Sequence, residues 1–259
     1  MFMLIDAHHH LVIDKEICPY FEQYAEKIEE IAEKYNIDYL CIMGLGNEFS
    51  HFGDNNAVLK LAARCSKILP IAYVNLDSDT PEQIPALVDQ GFRAFKCINP
   101  KLPYNSDVYI PLYEAIAKTG KYIHFHTGLQ GSAGGHVDSS NVRPVLLDRI
   151  CHLFPEMPVI MAHLGGMAWI NEGLAMLNYH DNLFCDLTGG PASLDSKWYK
   201  SYACRSELNW DKVVFGTDSM IGDFGEPFDC YKEKIEFFNL SETDQDQVWG
   251  MRIAKLLML

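Results

Sequence analysis

Short, continuous apolar runs alternate with amphipathic stretches along the whole chain. Apolar runs of this length are typical of parallel strands that are buried on both faces. Eight such runs predict eight strands, at Met3–His9, Tyr39–Gly44, Leu69–Asn75, Phe92–Ile98, Tyr122–Thr127, Val159–His163, Leu183–Leu187 and Lys212–Thr217.

The stretches between these runs carry helix-start signals. Thr80-Pro81-Glu82-Gln83 offers an N-cap, a proline at the first helical position and a glutamine at the capping-box position. Ser241 begins the last helix in a similar way. The stretch from Asn141 to Pro144 introduces a helix that we expect to run to about Phe154.

Eight strand–helix alternations in 259 residues predict a (β/α)8 TIM barrel, and we expect residues 1–259 to form a single domain. A doubly wound open sheet is the competing fold. That fold usually places a glycine-rich phosphate loop after an early strand, and the sequence contains neither GxGxxG nor a Walker motif. The barrel is therefore favoured.

The charge balance narrows the class of partner. The chain has 35 acidic and 21 basic residues, a formal net charge of −14. Such an acidic protein repels phosphate backbones and anionic lipid, so we expect a small-molecule substrate rather than nucleic acid or a membrane. The sequence leaves the oligomeric state open, a homo-oligomer included.

The cysteines indicate a reducing compartment. All eight are scattered without a CxxC pair, and several, such as Cys41, Cys97 and Cys185, lie inside apolar runs. A chain of this size does not need disulfides, and no signal peptide precedes the first strand. These features predict a cytoplasmic protein.

Histidines end the first predicted strand, in Ile5-Asp6-Ala7-His8-His9-His10. Successive side chains of a strand point to opposite faces, so His8 and His10 share a face and His9 does not. Two imidazoles held in this way form half of a metal site. A tag remnant is the alternative, but a tag would be longer and would lie outside the first strand.

Histidines and carboxylates also end four later strands, where a parallel barrel has its active site. The candidates are His124, His126, His163, Asp186 and Asp218. His126 is predicted to be a ligand, and His124 is either a ligand or a packed histidine. His163 is either a ligand or a proton carrier. Asp218 is the best carboxylate, whereas structural hydrogen bonding explains Asp6 and Asp186 equally well.

Other polar residues have weaker signals. Lys96 is predicted to serve the pocket or to reach solvent, and a modified Lys96 could bridge two metals. The loop Gly128–His136 is expected to cover the substrate. The remaining histidines lie in loops or helices and are expected to be mostly at the surface: His51, His136, His152 and His180.

With these motifs the chain resembles the amidohydrolase superfamily, in its amidohydrolase-related branch of metal-dependent hydrolases and decarboxylases. The matching segments, which span nearly the whole chain in the expected order, are Ile5–His10, His126-Thr127-Gly128, Pro158–Gly166 and Phe215-Gly216-Thr217-Asp218. The resemblance implies one divalent metal held by His8, His10, His126 and Asp218, with His163 acting on metal-bound water. Zinc suits this donor set first, and manganese, iron or cobalt are also compatible.

The resulting hypothesis is hydrolysis of a small lactone, ester or amide by metal-activated water, with Asp218 as proton carrier and His163 stabilising the oxyanion. A decarboxylase on the same site is the first alternative. Thr127-Gly128 favours hydrolysis, because related decarboxylases often have a proline directly after the histidine of the fifth strand. A binding protein without turnover is the second alternative, which the complete ligand set disfavours.

Overall fold

The computed structural model describes residues 3–13, 20–46, 49, 51–129, 138–188, 208–220 and 224–259. Eight parallel strands form one curled sheet in the order β7-β6-β5-β4-β3-β2-β1-β8. The strands are β1 Ile5–His10, β2 Tyr39–Met43, β3 Ile68–Tyr73, β4 Ala94–Cys97, β5 Ile123–Phe125, β6 Val159–Met161, β7 Leu183–Cys185 and β8 Ser219–Met220. The fold is the predicted (β/α)8 TIM barrel.

Helices follow the strands and cover the outside of the sheet. They are α1 Gln23–Tyr35, α2 Asn55–Ala62, α3 Gln83–Asp89, α4 Ile110–Ala117, α5 Leu147–Leu153, α6 Gly166–Tyr179, α7 Gly225–Phe238, α8 Glu242–Asp246 and α9 Arg252–Leu257, with a π-helical segment at Gln247–Met251. Among the described residues, no helix is both long enough and apolar enough to cross a membrane.

The eighth strand lies later in the chain than the predicted Lys212–Thr217. Trp210–Lys212 is a 3-10 turn, and the regular strand pairs only at Ser219 and Met220, beside His9 and His10. The backbone of the intervening segment makes hydrogen bonds that do not belong to a regular strand ladder. The Phe215 N–H donates to the Val248 carbonyl, and the Thr217 N–H donates to the Asp6 carboxylate. This segment still lies between β7 and β1. Val213 forms a β-bridge with Cys185, and the Ala7 N–H donates a hydrogen bond to the Phe215 carbonyl.

The side chains on the two faces of the strands belong to two separate buried clusters. The larger cluster joins outward-facing strand residues, such as Leu40, Ile42 and Phe95, to the helices. The smaller one fills the barrel interior with alternate residues of the strands and of the segments beside them: Ile5, Ala7, Cys41, Met43, Leu69, Ile71, Ala94, Tyr122, Ile160 and Val214. Continuous apolar runs are therefore required, since both strand faces are buried.

A β-bulge in β1 decides which histidines face the barrel interior. Ile5 and Ala7 point inward, so strict alternation would also point His9 inward. The pairing of β1 with β2 shifts register between Asp6 and His9, and the His8 N–H donates to the Asp6 carboxylate at 3.0 Å. The bulge turns His8 and His10 into the interior and leaves His9 on the outer face, which is the shared face predicted for His8 and His10.

The structure meets the predicted helix starts in part: α3 begins at Gln83 with Glu82 as its N-cap residue, two positions after the predicted N-cap Thr80. The Thr80 N–H donates to the Gln83 side chain at 2.7 Å, the reciprocal half of the predicted capping box. Ser241 accepts from the Asp244 N–H at the start of α8. The segment after Asn141 begins as two 3-10 turns and continues as α5, with Phe154 as its C-cap.

Candidate metal centre and active site

The end of β1 and the residue just before β8 bring three of the four predicted ligands together. His8 Nε2 lies 3.1 Å from His10 Nε2, and Asp218 Oδ1 lies 3.2 Å from each of these nitrogens. Asp218 is held in the left-handed region at φ 55°, an uncommon conformation for a residue other than glycine that is enriched at functional sites. Its side chain remains 24% exposed, so a substrate can reach it.

A buried carboxylate below this cluster fixes the orientation of His8. Asp186 accepts from His8 Nδ1 at 2.9 Å and from His124 Nε2 at 3.1 Å. Burial acts to raise the pKa of Asp186, but the charge of His8 and these hydrogen bonds hold it well below its usual range. Because the ionised carboxylate only accepts, His8 donates its Nδ1 proton to Asp186, and this bond directs Nε2 toward the cluster.

Asp186 also holds the turn that follows β6. It accepts from the backbone N–H of His163 at 2.8 Å and from the Thr188 hydroxyl at 2.6 Å. The backbone is no longer extended at His163 and Leu164, whose φ values are 64° and 49°. The strand therefore ends before the predicted residue, His163. His163 therefore lies in a 3-10 turn rather than in the strand.

Hydrogen bonds from His163 determine the protonation of His126. His163 Nδ1 donates to the Thr188 carbonyl at 2.9 Å, which leaves Nε2 as an acceptor. His126 Nδ1 lies 3.1 Å from that Nε2 and donates to it. His126 Nε2 then carries a lone pair, and it is buried without a hydrogen-bond partner among the residues that the structure describes.

Lys96 is completely buried beside this cluster, with Nζ 3.2 Å from His8 Nε2. Burial lowers the pKa of Lys96 to about 8, although the charges of Asp218 and Asp186 act to raise it. Lys96 is therefore the predicted inward lysine of the pocket, and its head does not reach solvent.

The donor set fits a divalent metal ion. Burial lowers the pKa of His10 to about 4 and that of His126 well below its usual range, so both rings are neutral and their lone pairs are free to bind. The spacing of 3.1–3.2 Å between the His8, His10 and Asp218 donor atoms is close to the spacing of about 3.4 Å between ligands of tetrahedral zinc. The partnerless Nε2 of His126 suits a fourth ligand.

Of the remaining candidates, some make hydrogen bonds that hold the site residues in place, and the others lie away from the site. Asp6 is a hydrogen-bond acceptor for His8 and Thr217, and His124 is a packed histidine bonded to Asp186. His51 and His152 are exposed as predicted, but His180 is buried. His136 and most of the predicted substrate-covering loop, at 130–136, lie outside the described residues.

Sequence reasoning undervalued Asp186. Its central role depends on five hydrogen-bond donors; two come from nearby Thr188, and the other three come from three segments far away in the chain, which no local pattern shows. The available signal was its position at a strand end inside an otherwise apolar run, where an unpaired carboxylate would be costly.

The family model Amidohydro_2, described as amidohydrolase, matches residues 5–257. The chain therefore belongs to this amidohydrolase family. No curated protein matches the sequence.

Solved structures with the same fold include enzymes of two reaction types. An uncharacterised TIM-barrel protein from Bordetella bronchiseptica is 16% identical with a TM-score of 0.69, covering 99% of this chain and 98% of its own. A probable 2-pyrone-4,6-dicarboxylic acid hydrolase from Acinetobacter baumannii is 14% identical with a TM-score of 0.66, covering 99% of both chains. A 5-carboxyvanillate decarboxylase from Novosphingobium aromaticivorans, with bound manganese, is 10% identical with a TM-score of 0.65, covering 100% of this chain and 97% of its own.

Family and neighbours together indicate a metal-dependent hydrolase or decarboxylase.

Proposed function

We propose that the chain is a metal-dependent hydrolase of a small lactone, ester or amide, with one divalent ion held by His8, His10, His126 and Asp218. The observation that carries the proposal is the convergence of His8 Nε2, His10 Nε2 and the partly exposed Asp218 carboxylate, whose donor atoms lie 3.1–3.2 Å from one another. Zinc fits imidazole and carboxylate donors first, and the manganese in the N. aromaticivorans decarboxylase supports manganese as the alternative.

When bound, a divalent ion polarises a carbonyl oxygen and lowers the pKa of water toward about 7. The chain's own residues then manage the protons. Asp218 reaches solvent and accepts a proton from the attacking water at its carboxylate, then delivers it to the leaving atom. Burial acts to raise the pKa of Asp218, but the charge of His8 and the hydrogen bond from His10 hold it well below its usual range, so the carboxylate is ionised before the proton transfer.

His163 faces the same space from the end of β6. With Nδ1 donating to Thr188, its Nε2 accepts from His126 Nδ1 at rest, and it becomes a donor to the substrate only when that bond opens and the ring takes a second proton. Burial lowers the pKa of His163 and keeps the ring neutral at rest, whereas a negative charge that develops beside it favours the second proton. That behaviour suits stabilisation of an oxyanion.

The reaction type is tested with a panel of small lactones, esters and amides in oxygen-18 water. We expect solvent oxygen in the carboxylate product and no release of carbon dioxide. Asp218→Asn should lower turnover by about 10²-fold or more because it removes the proton carrier. Metal occupancy is measured on the same samples, since Asp218 is also a proposed ligand.

The ligand set is tested by metal analysis after exhaustive dialysis. The wild-type chain should retain about one divalent ion, and His8→Ala and His126→Ala should lose most of it. His51→Ala, which removes an exposed imidazole, is the matched control and should retain the ion. Full occupancy in both ligand variants would disprove this set.

A decarboxylase on the same site is the second candidate, supported by the 5-carboxyvanillate decarboxylase of the same fold. In that reaction His163 and Asp218 manage a proton and no water adds to the substrate. Release of carbon dioxide from an aromatic or unsaturated acid, without solvent oxygen in the product, would establish this candidate and exclude hydrolysis.

A further inference from the structure

A second group of metal-ligating side chains lies at the opposite edge of the barrel. Asp148 and His152 are one turn apart on α5, and His180 immediately follows α6. His180 precedes β7, so the group lies where strands begin, whereas the catalytic candidates lie where strands end. It is therefore separate from the site of the proposed hydrolysis.

The three side chains already converge on one point. His180 Nε2 lies 2.9 Å and His152 Nε2 lies 3.5 Å from Asp148 Oδ1. One donor atom from each residue lies within 4.8 Å of the others. Zinc bound by nitrogen and oxygen at about 2.0–2.2 Å separates its ligands by about 3.4 Å, so only small side-chain rotations are needed to close around an ion.

The framework around the group is fixed by hydrogen bonds. The Asn182 amide, just after His180, donates to the carbonyls of Cys151, Phe154 and Met157 at 3.0–3.3 Å and so ties the end of α5 to the start of β7. The Lys212 ammonium donates to the His180 carbonyl at 2.7 Å. The His180 side chain is only 5% exposed, whereas those of Asp148 and His152 are 46% and 58% exposed. One ligand is thus rigid and two are accessible from solvent.

We propose that Asp148, His152 and His180 form a second metal site for a borderline transition-metal dication such as Zn²⁺, which links α5 to the end of α6. Two imidazoles and one carboxylate match zinc, cobalt, nickel or copper rather than calcium or magnesium, which prefer all-oxygen ligands. Three protein ligands leave a position for solvent. His180 Nε2 must move its proton to Nδ1 on binding, because the lone pair that binds the ion is the one now protonated toward Asp148.

The test is the number of zinc ions bound per full-length chain, measured by equilibrium dialysis as free Zn²⁺ is raised through the micromolar range at neutral pH. Asp148→Asn and His152→Ala should each bind one ion fewer than wild type. Asp181→Asn, which neutralises a fully exposed neighbouring carboxylate, is the matched control and should bind the wild-type number. The proposal is tested by the difference of one bound zinc ion between wild type and each ligand variant. This difference does not depend on how many ions the catalytic candidates hold.

A second readout detects the link between the helices. Zn²⁺ should slow amide hydrogen exchange in residues 147–153 of wild type and of Asp181→Asn, and leave exchange there unchanged in Asp148→Asn. Equal zinc numbers in all four proteins would overturn the proposal. A loss in His152→Ala without a loss in Asp148→Asn would also overturn it, because the carboxylate would then not be a ligand.

Discussion

Asp186 is the single residue on which the geometry of the candidate active site depends most. It is completely buried and accepts hydrogen bonds from two histidine rings, two backbone N–H groups and the Thr188 hydroxyl. A carboxylate behind a ligating histidine fixes its tautomer and raises its basicity. If His8 is a ligand as proposed, Asp186 acts on the proposed metal site by orienting His8.

Asp186→Asn should weaken metal binding about 10–100-fold and lower the free energy of unfolding by about 1–3 kcal/mol. The amide keeps the shape of the side chain but loses the charge, and its NH₂ group meets donors that need an acceptor. Competition with a chelator measures affinity, and urea unfolding of the metal-free protein measures stability. Asp181→Asn should change neither quantity, and an unchanged metal affinity in Asp186→Asn would contradict the orienting role.

At the scale of elements, caps and turns determine where helices begin and strands end. The turn after β6 holds His163, Leu164, Gly165 and Gly166 at positive φ, which stops the strand and aims His163 at the pocket. A side chain at Gly165 would bring its Cβ within 2.7 Å of Pro144, so glycine is required there on two grounds. The local conformation thus positions a candidate catalytic residue.

The cap of α8 offers a test at this scale. Ser241→Ala should lower the free energy of unfolding by about 1 kcal/mol, because the Asp244 N–H loses its acceptor. Ser241→Thr keeps the hydroxyl and should retain most of the stability. Urea denaturation of the two variants measures the difference, and equal losses in both would show that the cap bond does not contribute.

At the scale of the whole molecule, the barrel buries a lysine from its outer helix layer. Lys234 of α7 is 1% exposed, and its ammonium donates to the Leu187 carbonyl at 3.1 Å. Burial lowers the pKa of Lys234 to about 8 from its ordinary 10.5. The unfolded chain therefore binds this proton more tightly than the folded barrel does.

The sign of the resulting pH dependence follows from linkage. Between pH 8 and 10.5 the unfolded state carries more protons at Lys234, so this residue makes stability rise with pH across that window. Lys234→Met should remove that contribution, which is of the order of 3 kcal/mol for a shift of this size. Urea midpoints of both proteins at several pH values measure the difference in slope. Parallel pH profiles would show that Lys234 is not responsible.

Several features of the molecule were determined by the sequence itself. Apolar runs that must be buried on both faces predicted parallel strands and hence the barrel, and most strands lie within a few residues of their predicted bounds. The barrel in turn gathers strand ends on one face, so His8, His10 and Asp218 could be predicted to meet. The single-domain organisation and the cytoplasmic location remain predictions from the sequence.

Only the tertiary structure decided the rest, because long-range hydrogen bonds override local pattern. The Asp6 carboxylate stabilises the bulge that turns His8 rather than His9 inward, and it also takes the Thr217 N–H out of the ladder of the predicted eighth strand. Asp186 gained its role from donors far away in the chain, and His180 became buried beside Asp148 through the packing of α5 on α6. A sequence pattern reports which face of an element is apolar, whereas the partner of a buried polar group is chosen by segments that only folding brings together.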